Sequence, residues 1–102
     1  MIVVRNVFQL KFGEAKKGVE LWKEGLALGK RIGFPAKSSR VLTDVVGQFY
    51  TVVFEVTFES LSDFENAAKG IMSNPEWQAW YTKVVAITQS GHREIWNVVA
   101  ES

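Results

Sequence analysis

Hydrophobic and polar residues alternate strictly toward the end of the segment Gly47–Phe58. One side of this segment is apolar and carries Tyr50, Val52, Phe54, Val56 and Phe58. The other side is mixed and carries Thr51, Val53, Glu55 and Thr57. An alternation of period two among β-branched and aromatic residues predicts a strand with one apolar face. Such a face needs a cover, and the rest of the chain predicts the elements that supply it.

The segment Ile2–Phe12 alternates in the same way and ends at Gly13. Its apolar side carries Ile2, Val4, Phe8, Leu10 and Phe12, and its other side carries Val3, Arg5, Val7, Gln9 and Lys11. Asn6 is the one strongly polar side chain in phase with the apolar side. Burying an unpaired amide costs about 1–3 kcal/mol, so we expect Asn6 to bond the backbone, a buried water or a ligand.

Two more strands are predicted from shorter segments. Ala36–Asp44 is polar enough to suit an exposed sheet edge, and Val45–Gln48 would form the turn that follows it. His92–Ala100 contains the hydrophobic residues of a last strand, after a predicted turn at Gln89–Gly91.

The segment Glu14–Ile32 predicts a helix that ends at Gly33. Its hydrophobic and small residues recur at intervals of three and four: Ala15, Val19, Trp22, Leu26, Gly29 and Ile32. Three interior glycines, Gly18, Gly25 and Gly29, fall along the side of Trp22, although each costs roughly 1 kcal/mol relative to alanine. They predict either a close approach of the helix to the sheet or space for a ligand.

The region after Phe58 predicts a second helix in two pieces. Ser60–Asp63 resembles a capping box, and a short apolar stripe follows: Leu61, Phe64, Ala67, Ala68 and Ile71. A break is predicted near Ser73, because Asn74 is a favourable N-cap and proline is favoured at the first helical position. The second piece has hydrophobic residues on one face: Trp77, Trp80, Tyr81, Val84 and Ile87.

The predicted order of strand, helix, strand, strand, helix, strand is that of a ferredoxin-like α+β domain over residues 1–102. We expect a four-stranded antiparallel sheet with both helices on one face and with Ile2–Phe12 and Gly47–Phe58 at its centre. The opposite face would be uncovered, with Val3, Val7 and Val53 exposed and Arg5 paired with Glu55. We therefore expect a homodimer through the face that carries Arg5, Val7, Thr51, Val53 and Glu55.

Composition and charge exclude several classes of protein. The net charge is +1 with scattered basic residues, so no nucleic-acid partner is expected. One histidine and no cysteine argue against a metal site and a disulfide. No glycine-rich phosphate loop lies between a strand and a helix, and we expect no cofactor. Strand alternation begins at Ile2 and no apolar run could span a bilayer, which predicts a cytoplasmic protein without membrane partners.

Two segments resemble the dimeric α/β-barrel superfamily, which includes NIPSNAP-type proteins and antibiotic-biosynthesis monooxygenases. Phe54–Glu65 resembles its strand that runs into a capped helix, and Ser73–Trp80 is similar to its common Asn-Pro-Glu-Trp segment. Arg5 is similar to a frequent NIPSNAP arginine. The resemblance implies a dimeric α/β barrel with a pocket between each sheet and its helices.

The resemblance also implies a candidate site. Haem-degrading and some cofactor-free monooxygenase members pair an asparagine on the first strand with a tryptophan on the second helix, and Asn6 with Trp77 or Trp80 matches this pattern. The haem-degrading members also need a histidine on that helix, and the residues from Tyr81 to Ile87 include none. This departure argues against haem turnover.

The aromatic residues expected to bind a ligand around Asn6 are Trp22, Tyr50, Trp77, Trp80 and Tyr81. The single histidine, His92, is either a surface residue or a general acid or base, since its unperturbed pKa lies near neutrality.

Two functions remain open on these residues. One is a cofactor-free monooxygenase or isomerase that acts on an aromatic or polycyclic substrate, with Asn6 polarising a substrate oxygen. The other is a non-catalytic dimeric binding or stress-associated protein of NIPSNAP type. An open cavity of about 300 Å³ or more that touches Asn6 would favour the enzyme. A sealed pocket with Asn6 bonded internally would favour the binding protein.

Overall fold

The computed structural model describes all residues 1–102, in four strands and three helices. In chain order these are β1 (Ile2–Leu10), α1 (Ala15–Arg31), β2 (Ser38–Thr43), β3 (Thr51–Phe58), α2 (Leu61–Met72), α3 (Pro75–Ile87) and β4 (Thr88–Asn97). The strands form one antiparallel sheet in the order β2-β3-β1-β4. This confirms the ferredoxin-like fold and the two central strands. None of the helices combines the length and apolarity that crossing a membrane requires.

Side-chain caps fix the starts of α2 and α3. Ser60 Oγ accepts a hydrogen bond of 3.2 Å from the backbone N–H of Asp63. Asn74 Oδ1 accepts one of 3.1 Å from the backbone N–H of Trp77, and Pro75 occupies the first turn. Each cap satisfies a backbone donor that has no partner inside the helix. The predicted break between the two helical pieces is therefore confirmed.

The inward face of the sheet divides the core into two groups. The larger group joins the sheet to α1 and α3: Leu10, Leu21, Trp22, Leu28, Val52, Trp80, Val84 and Ile87. The smaller group lies under α2: Ile2, Val4, Val56, Phe58 and Ala67. Phe54 packs against both groups and is only half-buried, as is Phe8 beside it. The helices therefore leave a gap over the middle of the sheet.

Three predictions at strand ends were wrong. Phe12 lies beyond the end of β1 and is 81% exposed. Tyr50 lies in the turn before β3, with a positive φ of 60°. The predicted turn at Gln89–Gly91 is part of β4, where Gly91 pairs with Phe8. A Cβ at Gly91 would come within 2.9 Å of the Phe8 ring, so this glycine serves a close approach between strands.

The predicted buried face of α1 was also partly wrong. Trp22 and Gly29 are buried as expected, while the remaining buried positions are Gly18, Leu21, Gly25 and Leu28. The predicted Ala15, Val19, Leu26 and Ile32 are half-buried at its flank. A Cβ at Gly18 would overlap the Leu10 side chain, and one at Gly25 would overlap the Trp80 ring. Gly18 thus permits the predicted close approach to the sheet, while Gly25 permits a close approach between α1 and α3, which was not predicted.

Replacing Gly25 with alanine should destabilise the protein by about 1–3 kcal/mol, because the buried Trp80 ring cannot move away without repacking. This loss should exceed the gain of roughly 1 kcal/mol that alanine brings to a helix interior. Urea denaturation followed by circular dichroism measures the free energy of unfolding. Gly70→Ala on α2 is the matched control: its Cβ meets no atom within 4 Å, so stability should rise. Equal stability of Gly25→Ala and the wild type would refute the packing argument.

Candidate ligand-binding cavity

A cavity of about 460 Å³ occupies the gap between the two core groups. It lies between the sheet and the helices α2 and α3, and we call it the sheet–helix cavity. Twelve of its fifteen lining residues are hydrophobic, and the other three are Asn6, Gln78 and Arg93. This size and composition are typical of small-molecule sites, in which apolar walls surround a few placed polar groups.

The sheet supplies one wall of the cavity from three strands. The lining residues are Asn6 and Phe8 from β1, Phe54, Val56 and Phe58 from β3, and Arg93 from β4. Asn6 pairs in register with Phe54 on one side and with Arg93 on the other. Residues directly opposite in an antiparallel pair share a face, so one polar pair lies within a mainly aromatic wall.

The helices supply the opposite wall. α2 contributes Phe64, Ala68, Ile71 and Met72, and α3 contributes Trp77, Gln78 and Tyr81. Trp22 of α1 and Phe34 complete the lining. Met72 is 68% exposed and Tyr81 is 41% exposed, so the cavity opens to solvent beside these two side chains.

Asn6 and Arg93 form the polar centre of the cavity wall. Asn6 Oδ1 accepts a hydrogen bond of 2.7 Å from Arg93 Nε. Asn6 Nδ2 donates to the carbonyl oxygen of Phe54 over 3.4 Å, which is long for a hydrogen bond. The Arg93 guanidinium also lies 5.2 Å from the centre of the Phe64 ring, within the range of a cation–π contact. The backbone bond expected for Asn6 is therefore present but long, and its closer partner is the Arg93 side chain, which was not predicted.

Trp22 adds an unpaired donor to the same region. Its side chain is 2% exposed and stacks on Phe8 with 5.2 Å between ring centres. Its indole N–H has no hydrogen-bond partner, although buried tryptophans usually find one.

The structure brings together Asn6, Trp22, Trp77 and Tyr81 from the residues proposed on sequence grounds. Trp80 belongs to the core instead: it is 2% exposed, and its indole N–H donates to the backbone oxygen of Leu21 over 2.7 Å. Trp80 contacts the cavity wall indirectly, because its ring packs against Trp77 with 4.5 Å between the ring centres.

Tyr50 lies away from Asn6. It borders a separate groove of about 670 Å³, together with Phe12 and the α1 residues Lys16, Glu20 and Lys23. The Tyr50 and Phe12 rings pack edge to face with 4.8 Å between their centres. This groove is larger than the sheet–helix cavity, but just seven of its thirteen lining residues are hydrophobic.

His92 directs its ring to the opposite face of the sheet from the cavity. Side chains alternate along β4, so Arg93 faces the helices while His92 and Glu94 face away. The ring nitrogen Nε2 of His92 lies 3.1 Å from Glu94 Oε2. A hydrogen bond from the Trp96 indole N–H, and then the one to His92, hold the pKa of Glu94 below its ordinary value. His92 also borders a groove of about 410 Å³ that touches Asn6 and Arg93.

Arg93 is the residue that the sequence analysis missed. The signal was present in the alternation of β4, because Arg93 is in phase with the inward-facing Ile95, the register partner of Val4. The predicted last strand, His92–Ala100, already contained Arg93, but its pairing with Asn6 of β1 was not predicted.

The outer face of the sheet carries a row of alternating charges. Register pairing places Arg40, Glu55, Arg5 and Glu94 side by side across all four strands. Arg40 Nη2 lies 2.5 Å from Glu55 Oε1, Arg5 Nε lies 3.4 Å from Glu55 Oε2, and Arg5 Nη1 lies 3.9 Å from Glu94 Oε1. The predicted pairing of Arg5 with Glu55 is confirmed. The expected exposure of Val53 was wrong: beside Leu42 and Val7 it is 9% exposed.

Comparisons with known proteins agree with the architecture. No protein-family model matches the sequence, and no curated protein matches it. A solved NIPSNAP domain protein from Burkholderia xenovorans matches with a TM-score of 0.82 at 17% identity, covering 98% of this chain and 96% of that chain. A NIPSNAP family protein from Agrobacterium tumefaciens matches with a TM-score of 0.78 at 22% identity, covering 94% and 90%.

A cofactor-independent oxygenase is similar as well. A mutant form of this enzyme, SnoaB from Streptomyces nogalater, matches with a TM-score of 0.73 at 13% identity, covering 98% of this chain and 94% of that chain. The chain therefore has the fold of NIPSNAP proteins and antibiotic-biosynthesis monooxygenases, as the sequence resemblance indicated. Likeness at these identities establishes the fold, and activity has to be argued from the site.

Proposed function

We propose that the protein binds a small aromatic molecule in the sheet–helix cavity. The observation that carries this proposal is a cavity of about 460 Å³ with mainly aromatic walls and one polar pair, Asn6 and Arg93. Burial of an aromatic ring there is favourable by roughly 25 cal/mol per Å² of apolar surface. The rings of Phe8, Phe54 and Trp77 offer faces and edges for aromatic packing.

A cavity-filling substitution tests this proposal. Ala68→Phe places a phenyl ring in the cavity wall on α2, so naphthol and naphthamide should bind at least about tenfold more weakly than to the wild type. Isothermal titration calorimetry measures both affinities. Ala27→Phe makes the same change at an exposed position of α1 away from the cavity and should bind like the wild type. The proposal fails if the wild type binds neither probe or if Ala68→Phe binds them normally.

Cofactor-free oxygenation is a second candidate function. Likeness to a cofactor-independent oxygenase supports it, as does the position of Asn6 in a cavity open to solvent. The amide nitrogen of Asn6 makes just one long hydrogen bond, to the Phe54 carbonyl oxygen, so a substrate oxygen can compete for its N–H. Donors held at such a position stabilise an enolate as its charge develops. The internal bond from Arg93 to Asn6 instead supports the non-catalytic alternative, a binding protein of NIPSNAP type.

Measuring oxygen uptake in the presence of anthrone distinguishes an oxygenase from a non-catalytic binding protein. Oxidation of its methylene group by O₂ gives anthraquinone and water, and one oxygen atom enters each product. If the protein is an oxygenase, Asn6→Ala should lower the rate by about 10²-fold, since removal of one oxyanion donor typically has this effect. Asn66→Ala on α2, outside the cavity, should keep the wild-type rate. Wild-type protein that binds aromatic probes but leaves oxygen uptake at the background rate would be a binding protein.

We also propose that the outer face of the sheet packs against a second copy of the chain. An even row of alternating charges is complementary to itself when it is reversed, so a two-fold axis across the row would bring Arg40 opposite Glu94 and Glu55 opposite Arg5. A two-fold interface of this kind uses the same patch on both copies. Leu42 and Val7, which flank the buried Val53 in the neighbouring row, add apolar surface to the patch.

A lysine at the centre of this face should prevent the assembly. Val7→Lys would bury a charge without a partner, so light scattering coupled to gel filtration should give the mass of one chain instead of two. Val85→Lys, at a position of α3 that is 56% exposed and off this face, should remain a dimer. A wild-type protein of single-chain mass at micromolar concentration would contradict the proposal.

A further inference from the structure

We infer that the sheet–helix cavity selects an aromatic acid, and that Arg93 binds the carboxylate of this ligand. The inference rests on the proposed binding function and adds to it the charge of the ligand and the residue that recognises this charge.

Arg93 differs from the other arginines in lacking a carboxylate partner. Arg5 and Arg40 pair with Glu55, and Arg31 pairs with Glu76 at 2.6 Å. Arg93 has no aspartate or glutamate oxygen within 4.0 Å, and the lining of the cavity contains no acidic residue. The cavity wall therefore carries one positive charge that no protein group neutralises.

The Arg93 side chain is also oriented for a carboxylate. Its Nε donates to Asn6 Oδ1 at 2.7 Å, and its guanidinium lies over the Phe64 ring. These two contacts hold the guanidinium from one edge and one face. The terminal nitrogens Nη1 and Nη2 make no hydrogen bond within the protein and remain available. Arginine nitrogens bind a carboxylate through parallel hydrogen bonds, which fixes the orientation of the ligand as well as its charge.

The residues around Arg93 favour an aromatic acid over a small inorganic anion as its ligand. A surface ion pair contributes little, because water screens both charges. Arg93 is exposed in the ligand-free protein, and an aromatic body packed against Phe8 and Phe54 would exclude water from the ion pair and strengthen it. A small inorganic anion would leave most of the 460 Å³ unfilled and would gain nothing from the twelve hydrophobic lining residues. The unpaired charge of Arg93 and the hydrophobic lining together specify a ligand with an apolar ring system and one carboxylate.

A matched pair of probes tests the inference. Naphthoate and naphthamide have the same rings, and at neutral pH naphthoate alone carries a charge. In calorimetric titrations the wild type should bind naphthoate about tenfold more tightly than naphthamide, in line with a charge-assisted hydrogen bond. Arg93→Gln should bind the two probes equally, because the positive charge that distinguishes them is gone. Arg93→Lys should retain part of the preference, because it keeps the charge and loses the paired donors.

Arg40→Gln provides the control, since Arg40 lies on the outer face of the sheet and should leave the preference for naphthoate unchanged. A measurement on the wild type covers the case in which Arg93→Gln does not fold. The NMR signal of the Arg93 guanidinium should shift with naphthoate and not with naphthamide.

The outcomes separate this inference from the proposed function. Three results would overturn the inference and leave aromatic binding intact. They are equal wild-type affinity for both probes, an unchanged preference in Arg93→Gln, and an Arg93 NMR signal that does not shift with naphthoate. Binding of neither probe would overturn both.

Discussion

The contact between Trp80 and Gly25 sets the positions of the helices on the sheet. The Trp80 ring occupies the space where a side chain at position 25 would lie, and its indole N–H bonds the backbone oxygen of Leu21 on the same helix. Both partners are buried and rigid, so α3 can neither slide along α1 nor move away from it without losing a hydrogen bond and opening a void. α2 is tied to α3 by the capped break at Asn74 and packs further along the sheet. The gap between the two core groups follows from this placement.

The gap has features that a fold optimised for stability alone would avoid. Phe8 and Phe54 remain half-buried, the Trp22 indole N–H has no acceptor, and Arg93 has no counter-ion. Each is a local departure from good packing or pairing, and such departures concentrate at functional sites. The two faces of the sheet thus differ in their charges: the outer face pairs its arginines with glutamates, while Arg93 on the inner face has no carboxylate partner.

The sequence by itself determined the two central strands, their faces and the starts of the helices. Alternation of period two assigned Asn6, Phe8 and Phe54 to the inward face, because a strand directs successive side chains to opposite sides whatever surrounds it. The caps at Ser60 and Asn74 are equally local, since each bonds a backbone N–H three residues away. These local rules sufficed for the fold and for the inward direction of the strand residues that line the cavity, while only Asn6, Trp22, Trp77 and Tyr81 were identified as site residues.

The tertiary structure alone decided the register of β4 and the contacts between helices. Gly91 is typical of a turn when its segment is taken in isolation, and it becomes a strand residue because Phe8 approaches it across the sheet. Local alternation places Arg93 in phase with Ile95, but its position beside Asn6 depends on the pairing of β4 with β1, which no local pattern gives. The buried face of α1 likewise depends on which distant side chain fills the space at Gly25. Such contacts join residues far apart in the chain, and local periodicity carries no information about which distant partners meet.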